Sequence, residues 1–288
     1  MTPQELRFVC IAEPGTPTET ISLLAEACAQ RDVTFAGIDA TTFDLTQGAA
    51  LGPGDLLYRP GVGPAAYAVE QALFADGVRT FYRDPDGPWT YLGADLSLFA
   101  RHGLSVPRAL PCRSADPAQL RAEVAYLGGL PLVLKYGGEG GIGTVRADTW
   151  PTLISLADMA VDRGPALTMV QYIPDAMHWR LVVVGDEVVA AYPNPTRPDD
   201  FRSTPSEDAS DYLASGPPAA EQLAIAAARV LRLDCVGADL LVTPSGQVYL
   251  LEANFPFYFP QAQTVGGIDV AGHMLDWLLR PATRLKTS

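Results

Sequence analysis

Three side chains that carry oxygen donors lie close together in the last fifth of the sequence. Glu252 and Asn254 are two residues apart in the apolar run VYLLEANFPFYF (248–259), and Asp239 lies in the preceding apolar segment CVGADLLVT (235–243). Residues i and i+2 of a strand share a face, and a short turn joins the two segments, so the three side chains should converge. Buried carboxylates need a counter-ion, and such oxygen donors suit a hard cation, which predicts a Mg²⁺ site. The alternative is that Asp239 binds loop amides and Glu252 pairs with an arginine.

A lysine precedes a glycine-rich stretch in the middle of the chain. Lys135 and Lys286 are the lysines among 20 basic residues, and Lys135 lies in the apolar strand LPLVLKY (130–136). The following GGEGGIG (137–143) would let backbone amides approach phosphate oxygens, and the nearby ammonium group would neutralise them. The pattern favours a phosphate-binding loop over its alternative, a surface hairpin with a half-buried lysine.

Two better-known phosphate motifs fit the glycine-rich stretch less well. It matches the dinucleotide pattern GxGxxG, but the β-branched segment TVRA (144–147) follows where that motif requires a helix. With Val145 it also matches the kinase loop GxGxxGxV. In kinases, however, the phosphate-binding lysine follows the loop, and neither HRD nor DFG occurs in this sequence. A pair of strands joined by a phosphate-binding turn remains the interpretation.

The elements around these motifs predict two kinds of architecture. Strands alternate with helices at 16–32 and 64–77 in the first third of the chain, which indicates a parallel, doubly wound sheet. The predicted strands are RFVCIAEP (7–14), VTFAGID (33–39), DLLYRPGVG (55–63) and VRTFYRDP (78–85). The remainder is predicted to be rich in antiparallel strands, with hairpins around the glycine-rich stretch and around Asp239.

Composition narrows the function classes. The 288 residues carry a net charge of −13, which disfavours binding to nucleic acid, and 48% are hydrophobic, enough for a large core. No apolar run reaches the roughly 20 residues of a membrane span, and no secretion signal is recognisable. The four cysteines are widely spaced without a CxxC pair, so we expect reduced core thiols in a cytoplasmic protein.

The order of the motifs resembles that of the ATP-grasp superfamily, in particular the RimK-type carboxylate–amine ligases. The stretches that carry the resemblance are PLVLKYGGEGGIGTV, VQYIP, HWRLVVVGDEVVAA, DFRS, VGADLL, LLEAN and TVGGIDVAGHMLDWL. The resemblance implies an α/β plus α+β chain with an ATP-grasp fold. A doubly wound pre-ATP-grasp domain would cover 1–88, a small ATP-grasp subdomain 89–174, and a large subdomain with the metal site 175–288.

The resemblance also implies roles for single residues. Lys135 would hold the α- and β-phosphates of ATP. Arg202 would contact the transferred phosphate, and Arg180 is the second candidate for stabilising charge there. Two Mg²⁺ ions, or Mn²⁺ as an alternative, would be bound by Asp239, Glu252 and Asn254. The remaining nucleotide contacts would be Gly140, Gly141, Ile142 and Gly143 in a mobile flap, Gln171, Tyr172 and Ile173 around adenine, and His178, Ser203 and Thr204.

The sequence departs from the family pattern at several positions. A second phosphate lysine is missing near Leu92, Gln171 replaces a usual glutamate, and His178 replaces the acidic residue that commonly takes the ribose hydroxyls. Thr204 replaces a usual asparagine. The aromatic run FPFYF (255–259) replaces a small turn, and would either shape a substrate pocket or pack as loop core.

The expected activity is therefore an ADP-forming ligase that makes an amide through an acyl phosphate, on an amino acid or peptide. One alternative is an ATP-grasp enzyme that forms ester or amide links in a ribosomal peptide. Another is an ATP-binding relative without turnover. The expected partners are small-molecule or peptide carboxylates and amines, with no nucleic acid and no membrane, and a homo-oligomer is compatible with the sequence. Glu13 and Arg59 are candidate substrate contacts from the N-terminal domain.

Overall fold

The computed structural model describes residues 6–45, 51–75, 77–84, 96–136, 143–163, 167–197 and 199–280. The N-terminal part is a three-stranded parallel sheet in the order β2-β1-β3. Its strands are β1 (Arg7–Ala12), β2 (Thr34–Asp39) and β3 (Leu56–Tyr58), and its helices are α1 (Thr18–Ala29) and α2 (Pro64–Leu73). The central strand β1 is almost wholly buried, as expected for a parallel sheet covered by helices. The predicted α/β character of this part is confirmed.

The fourth strand predicted at 78–85 is wrong for the part of that segment that the structure describes. Arg79 makes an isolated parallel bridge to Leu56, whereas Tyr82 makes an isolated antiparallel bridge to Leu233. The segment therefore leaves the first sheet and pairs with another part of the molecule within a few residues. The apolar residues of this segment are buried, as expected for Phe81 and Tyr82, but the segment does not form a continuous strand.

The second sheet is antiparallel, in the order β4-β7-β5-β6. Its strands are β4 (Ala109–Pro111), β5 (Leu132–Lys135), β6 (Thr144–Ala147) and β7 (Thr168–Gln171), and its helices are α4 (Pro117–Leu127) and α5 (Trp150–Arg163). Helix α3 (Leu96–Arg101) precedes β4 in the chain, and its buried Phe99 packs with residues of the third sheet. Helix α4 begins where the Asp116 carboxylate accepts hydrogen bonds from the N–H groups of Ala118 and Gln119, both at 2.9 Å. It ends at Gly128, whose φ of 100° closes the last turn.

The third sheet is antiparallel, in the order β13-β12-β8-β9, and it carries the oxygen donors. Its strands are β8 (Met177–Val184), β9 (Glu187–Asn194), β12 (Cys235–Val242) and β13 (Val248–Asn254). A small ribbon of β10 (Thr196–Arg197) and β11 (Asp200–Ser203) follows β9, and the helices are α6 (Pro218–Leu231), α7 (Pro260–Thr264) and α8 (Val270–Leu279). Buried alanines of α6 recur at helical spacing and pack against this sheet.

The first and third sheets share one core. Phe8 and Tyr58 of the parallel sheet belong to the same buried cluster as Val182 of β8 and Leu275 of α8. Polar contacts cross the same boundary: Arg79 Nη1 donates to the carbonyl oxygen of Leu278 at 3.1 Å. The N-terminal sheet is thereby fixed against the part of the molecule that carries the candidate site.

The cysteines are unpaired, as their spacing in the sequence predicts. All four cysteines are free thiols, and Cys10, Cys28 and Cys235 are buried, whereas Cys112 is partly exposed. Burial raises the pKa of the Cys10 thiol to about 12, which leaves it protonated and unreactive at neutral pH. None of the helices in the described ranges combines the length and the apolar character that a membrane crossing would require.

Candidate active site

The three predicted metal ligands lie together at one edge of the third sheet. Asp239 of β12 is directly opposite Glu252 of β13, and Asn254 is directly opposite Gly237, two residues before Asp239. The Asn254 Nδ2 group donates a hydrogen bond to Glu252 Oε1 at 2.9 Å. The hairpin predicted from the sequence therefore forms, and it brings two carboxylates and one amide to the same face.

Asp239 is held by two basic side chains of the neighbouring strand. Arg180 Nη1 lies 2.5 Å from Asp239 Oδ2, and His178 Nε2 lies 3.2 Å from Oδ1. Burial by itself would raise the pKa of Asp239, but the charge of Arg180 and the contact with His178 outweigh burial and leave the pKa lowered. The Asp239 carboxylate is therefore ionised at neutral pH. The sequence left open that Glu252 pairs with an arginine; the carboxylate that does so in the structure is Asp239.

The donor set fits a hard divalent cation. The described part of the chain contains no cluster of three His, Cys, Asp or Glu side chains that could hold a metal ion, and the oxygen donors that lie together here are the Asp239 and Glu252 carboxylates and the Asn254 amide. Glu252 is exposed and Asp239 is buried, so the Glu252 carboxylate faces outward beside the buried negative charge of Asp239. Two carboxylates and an amide oxygen match the ligand preference of Mg²⁺ when substrate oxygens and water complete the shell.

Lys135 is the last residue of β5, as predicted from the apolar strand that contains it. It pairs with Thr144 of β6 and Thr168 of β7, and its side chain is half-buried. The Tyr136 N–H donates to the carbonyl oxygen of Gly143 at 3.0 Å, so β5 and β6 remain hydrogen-bonded at the two residues that flank 137–142. Gly143 has a φ of 77°, a conformation that glycine adopts without strain. Gly140, Gly141, Ile142 and the position near Leu92 lie outside the described residues.

The predicted adenine contacts form a short segment at the end of β7. Ile173 is buried, whereas Gln171 and Tyr172 are partly exposed. Gln171 Oε1 accepts hydrogen bonds from the backbone N–H and the Nε group of Arg108, at 3.3 and 3.4 Å. The Gln171 amide is therefore oriented by Arg108. Its contact with adenine stays a prediction.

The two predicted arginines occupy different environments. Arg202 is 48% exposed and forms a bidentate pair with Asp200 of its own strand, with Nη2 2.7 Å from Oδ2. Arg180 is 12% exposed and lies among the oxygen donors, where it also interacts with the charge of Glu252. Within the described residues, Arg180, the second candidate in the sequence, is thus the arginine that lies beside the oxygen donors.

His178 connects the metal donors to the ribbon that carries Arg202. Its Nδ1 atom forms a hydrogen bond with Ser203 Oγ, and its Nε2 atom faces Asp239. Both ring nitrogens are directed at protein groups, so contact with ribose hydroxyls would require the ring to exchange a partner. Thr204 continues the ribbon, and its N–H donates to the carbonyl oxygen of Pro195 at 3.1 Å.

The aromatic run after Asn254 is mostly core. The Phe255 ring packs against those of Tyr58, Phe81 and Tyr82, with centroids 5.4 to 6.1 Å away. Phe257 is buried but touches the site, because the Arg180 guanidinium lies over its ring at 5.8 Å. Both interpretations of the run therefore hold in part: the loop packs as core, and one of its rings borders the donors.

The N-terminal candidates have structural partners. Arg59 is 6% exposed, and its Nε group lies 2.7 Å from Glu70 Oε2. The Glu13 carboxylate accepts hydrogen bonds from the N–H groups of Gly63 and Ala66 at the start of α2. These contacts account for both residues within the fold, and a substrate role for either stays a prediction.

Two residues at the site carried little signal in the sequence. Asn194 lies opposite His178 on β9, and its Oδ1 atom is buried without a hydrogen-bond partner in the described part of the chain. Gly237 lies two residues before Asp239 in an apolar strand. An interior strand glycine often marks a close approach by another group, which is the signal that could have identified it.

Comparison with known proteins assigns the chain to a family. The family model described as RimK-like ATP-grasp domain matches residues 94–278. The ribosomal protein bS6–L-glutamate ligase of Escherichia coli is 34% identical over 191 residues, which cover 65% of this chain and 63% of that protein. The chain thus matches less than two thirds of the length of this curated relative.

Solved structures share the fold at lower identity. The ATP-grasp ligase PsnB, in complex with precursor peptide PsnA2 and AMPPNP, has a TM-score of 0.71 at 16% identity, covering 97% of this chain and 98% of that one. A RimK domain ATP-grasp protein from Sphaerobacter thermophilus has a TM-score of 0.63 at 20% identity, covering 94% and 99%. The predicted fold class is confirmed. Because the family match covers more than half of the 288 residues, the chain belongs to the RimK-like ATP-grasp family.

Proposed function

We propose that the protein is an ATP-dependent ligase that joins a carboxylate to an amine and releases ADP and phosphate. The observation that carries the proposal is the convergence of Asp239, Glu252 and Asn254 beside the Arg180 guanidinium. Carboxylates that hold a divalent ion and a cation that meets an anionic substrate are the two requirements of phosphoryl transfer to a carboxylate.

The proposed reaction has two steps. A substrate carboxylate oxygen attacks the γ-phosphorus of ATP, the bond to ADP breaks, and an acyl phosphate forms. An amine nitrogen then attacks the acyl carbon, phosphate leaves, and the nitrogen loses a proton to give the amide. Each step builds negative charge on oxygen, which fixed positive groups stabilise.

The chain's own residues would bind and orient the reactants. Asp239, Glu252 and Asn254 would hold one or two Mg²⁺ ions, and a bound Mg²⁺ supplies charge neutralisation between phosphate oxygens. Lys135 and the glycine-rich stretch would bind the phosphates from the second sheet. Arg180 would contact the substrate carboxylate and its developing charge, since it already lies among the donors. PsnB has been solved with Mg and ADP, which supports the same cofactors here.

The substrates are proposed at the level of class. The curated relative is named as a ligase of glutamate and a ribosomal protein, and PsnB was solved with a precursor peptide. We propose that the carboxylate belongs to an amino acid or a peptide and that the acceptor is an amine.

Product analysis tests the proposal. The purified protein is incubated with ATP, Mg²⁺ and a panel of amino acids and acidic peptides, and ADP release is measured with and without hydroxylamine as a trap for the acyl phosphate. ADP and a hydroxamate are expected only with the right carboxylate. Release of AMP and pyrophosphate would overturn the assignment.

A matched pair of variants links the activity to the site. Glu252→Gln removes a donor charge and should lower ADP release more than tenfold, because Mg²⁺ affinity depends on ligand charge. Glu187→Gln makes the same change at an exposed position at the start of β9 and should leave the rate unchanged. Equal rates in the two variants would exclude the proposed metal site.

A further inference from the structure

Gly237 lies on the same strand as Asp239, and its lack of a side chain leaves space beside that strand. An ideal Cβ atom added at Gly237 would lie 2.5 Å from Arg180 Nη2, 2.7 Å from Cζ and 2.9 Å from Nε. The φ of Gly237 is not positive, so the backbone there would accept any residue. Glycine is therefore required at this position for space, and the group that fills the space is the guanidinium of Arg180.

The guanidinium has little freedom to move away. Its Nη1 atom is 2.5 Å from Asp239 Oδ2, its Cζ atom lies 5.8 Å from the centre of the Phe257 ring, and the side chain is 12% exposed. A methyl group at Gly237 would therefore force the guanidinium to give up Asp239 or the face of Phe257. Displacement of a buried, paired cation is costly because its charge loses its partner.

The Nε–Nη2 edge of the guanidinium faces the space at Gly237 and points away from the Nη1 atom that binds Asp239. Within the described residues, the side-chain hydrogen bond of Arg180 goes from Nη1 to Asp239, and no hydrogen bond of Nε or Nη2 is found. These two N–H groups form the parallel fork that binds a carboxylate or a phosphate in bidentate geometry. Asn254 lies directly opposite Gly237 and Glu252 directly opposite Asp239, so the fork borders the oxygen donors.

We propose that Gly237 is a positioning residue: its missing side chain provides the seat for the Arg180 guanidinium and keeps the Nε–Nη2 edge free for an anionic oxygen of the substrate. The identity of that anion, a carboxylate or the acyl phosphate made from it, rests on the proposed ligase function. The seat itself rests on the geometry of the three residues Gly237, Arg180 and Asp239.

A double-mutant cycle tests the seat without reference to activity. Gly237→Ala should lower Tm by about 4 °C or more, as overpacking in a rigid site does. In the background of Arg180→Met, where no guanidinium occupies the space, the same change should lower Tm by about 1 °C or less. Gly37→Ala is the control, since its added Cβ would meet only Phe35 at 3.7 Å. An equal Tm loss from Gly237→Ala in both backgrounds overturns the seat.

Anion binding tests the open edge. Inorganic phosphate is titrated into the full-length protein saturated with MgADP, and the heat of binding is measured for the wild type, Gly237→Ala and Gly37→Ala. We expect Gly237→Ala to weaken phosphate binding at least tenfold and to change adenosine affinity by less than about threefold, because the predicted adenine contacts at the end of β7, unlike the proposed Mg²⁺ donors, do not border Gly237. Phosphate affinity that is unchanged in Gly237→Ala, or undetectable in the wild type, contradicts an open anion-binding edge.

The two measurements fail separately from the proposed function. If the wild type binds no MgADP, the ligase proposal fails, whereas the Tm cycle still decides whether Gly237 seats Arg180. If MgADP binds and amide is formed but the cycle shows no coupling, the ligase proposal stands and the role of Gly237 is refuted.

Discussion

Arg180 and Asp239 face each other at paired positions of β8 and β12, with Nη1 2.5 Å from Oδ2 and both side chains almost fully buried. This buried ion pair lies where the family resemblance requires a metal-binding carboxylate. The same carboxylate therefore serves two cations: the guanidinium, which is part of the fold, and the divalent ion that we propose to bind from outside.

The buried pair makes Arg180 important for stability as well as for chemistry. Arg180→Met should lower the free energy of unfolding by about 3 kcal/mol, because it leaves the Asp239 carboxylate buried without its main counter-charge. Arg202→Met is the matched control, since Arg202 is 48% exposed and pairs with Asp200 at the surface. It should change stability little. Urea unfolding at pH 7 measures the free energy of unfolding of both variants. Equal decreases would show that the buried Arg180–Asp239 pair stabilises the fold no more than the exposed Arg202–Asp200 pair.

Lys135 should act on phosphates and on no other part of a nucleotide. Lys135→Gln is expected to raise the Kd for MgATP about tenfold or more and to leave adenosine binding unchanged, since only the phosphates carry charge. Arg101→Gln, at an exposed position at the end of α3, controls for the loss of one positive charge. Calorimetric titration with both ligands checks this, and similar losses for ATP and adenosine would place Lys135 outside the phosphate site.

The sequence was most informative where local pattern and final packing agree. The hairpin of β12 and β13 could be predicted because two apolar runs flank a short turn, and the period of two in a strand put Glu252 and Asn254 on one face. Helix α4 likewise begins at a local feature, because Asp116 caps it through its own side chain. Such features depend on contacts between near neighbours in the chain.

Other features depend on partners far away in the chain and could not be predicted. Nothing in the run at 78–85 shows that Arg79 bridges to Leu56 while Tyr82 bridges to Leu233, so a strand was expected there. The choice between Arg180 and Arg202 likewise depends on which one has a buried partner on another strand. The ion pair between Arg59 and Glu70 was not predicted either, because it joins the segment after β3 to α2, and the substrate role of Arg59 stays a prediction.

Acid should weaken the fold through Asp55. This carboxylate is 2% exposed and lies 2.6 Å from Arg7 Nη2, and it also accepts the N–H of Gly52 at 2.9 Å. Burial would raise the pKa of Asp55, but the hydrogen bonds from Arg7 and Gly52 and the charge of Arg7 leave it lowered. A lowered folded-state pKa means that the stabilisation is fully present above the unfolded pKa of about 3.9 and is lost as pH falls through the folded value.

The Asp55 effect has a defined pH window. The stability advantage of the wild type over Asp55→Asn should be constant above about pH 5 and shrink below about pH 4, where the wild-type carboxylate becomes protonated. Urea midpoints at a series of pH values measure the difference, and Asp199→Asn, at an exposed position, serves as control. A difference that is constant down to pH 3 would mean that the Asp55 charge contributes nothing to the fold.

Two buried tyrosines, Tyr58 and Tyr82, should respond in opposite ways to loss of the hydroxyl group. The Tyr58 hydroxyl is buried without a hydrogen-bond partner in the described part of the chain, whereas the Tyr82 hydroxyl donates to Glu70 Oε2 at 3.0 Å. Tyr58→Phe should raise the free energy of unfolding by about 1 kcal/mol, since it removes a desolvated polar group. Tyr82→Phe should lower it by about 1–3 kcal/mol, since the buried Glu70 carboxylate loses a donor. Both values come from urea unfolding at pH 7, and a loss of stability in Tyr58→Phe similar to that in Tyr82→Phe would mean that the Tyr58 hydroxyl is satisfied after all.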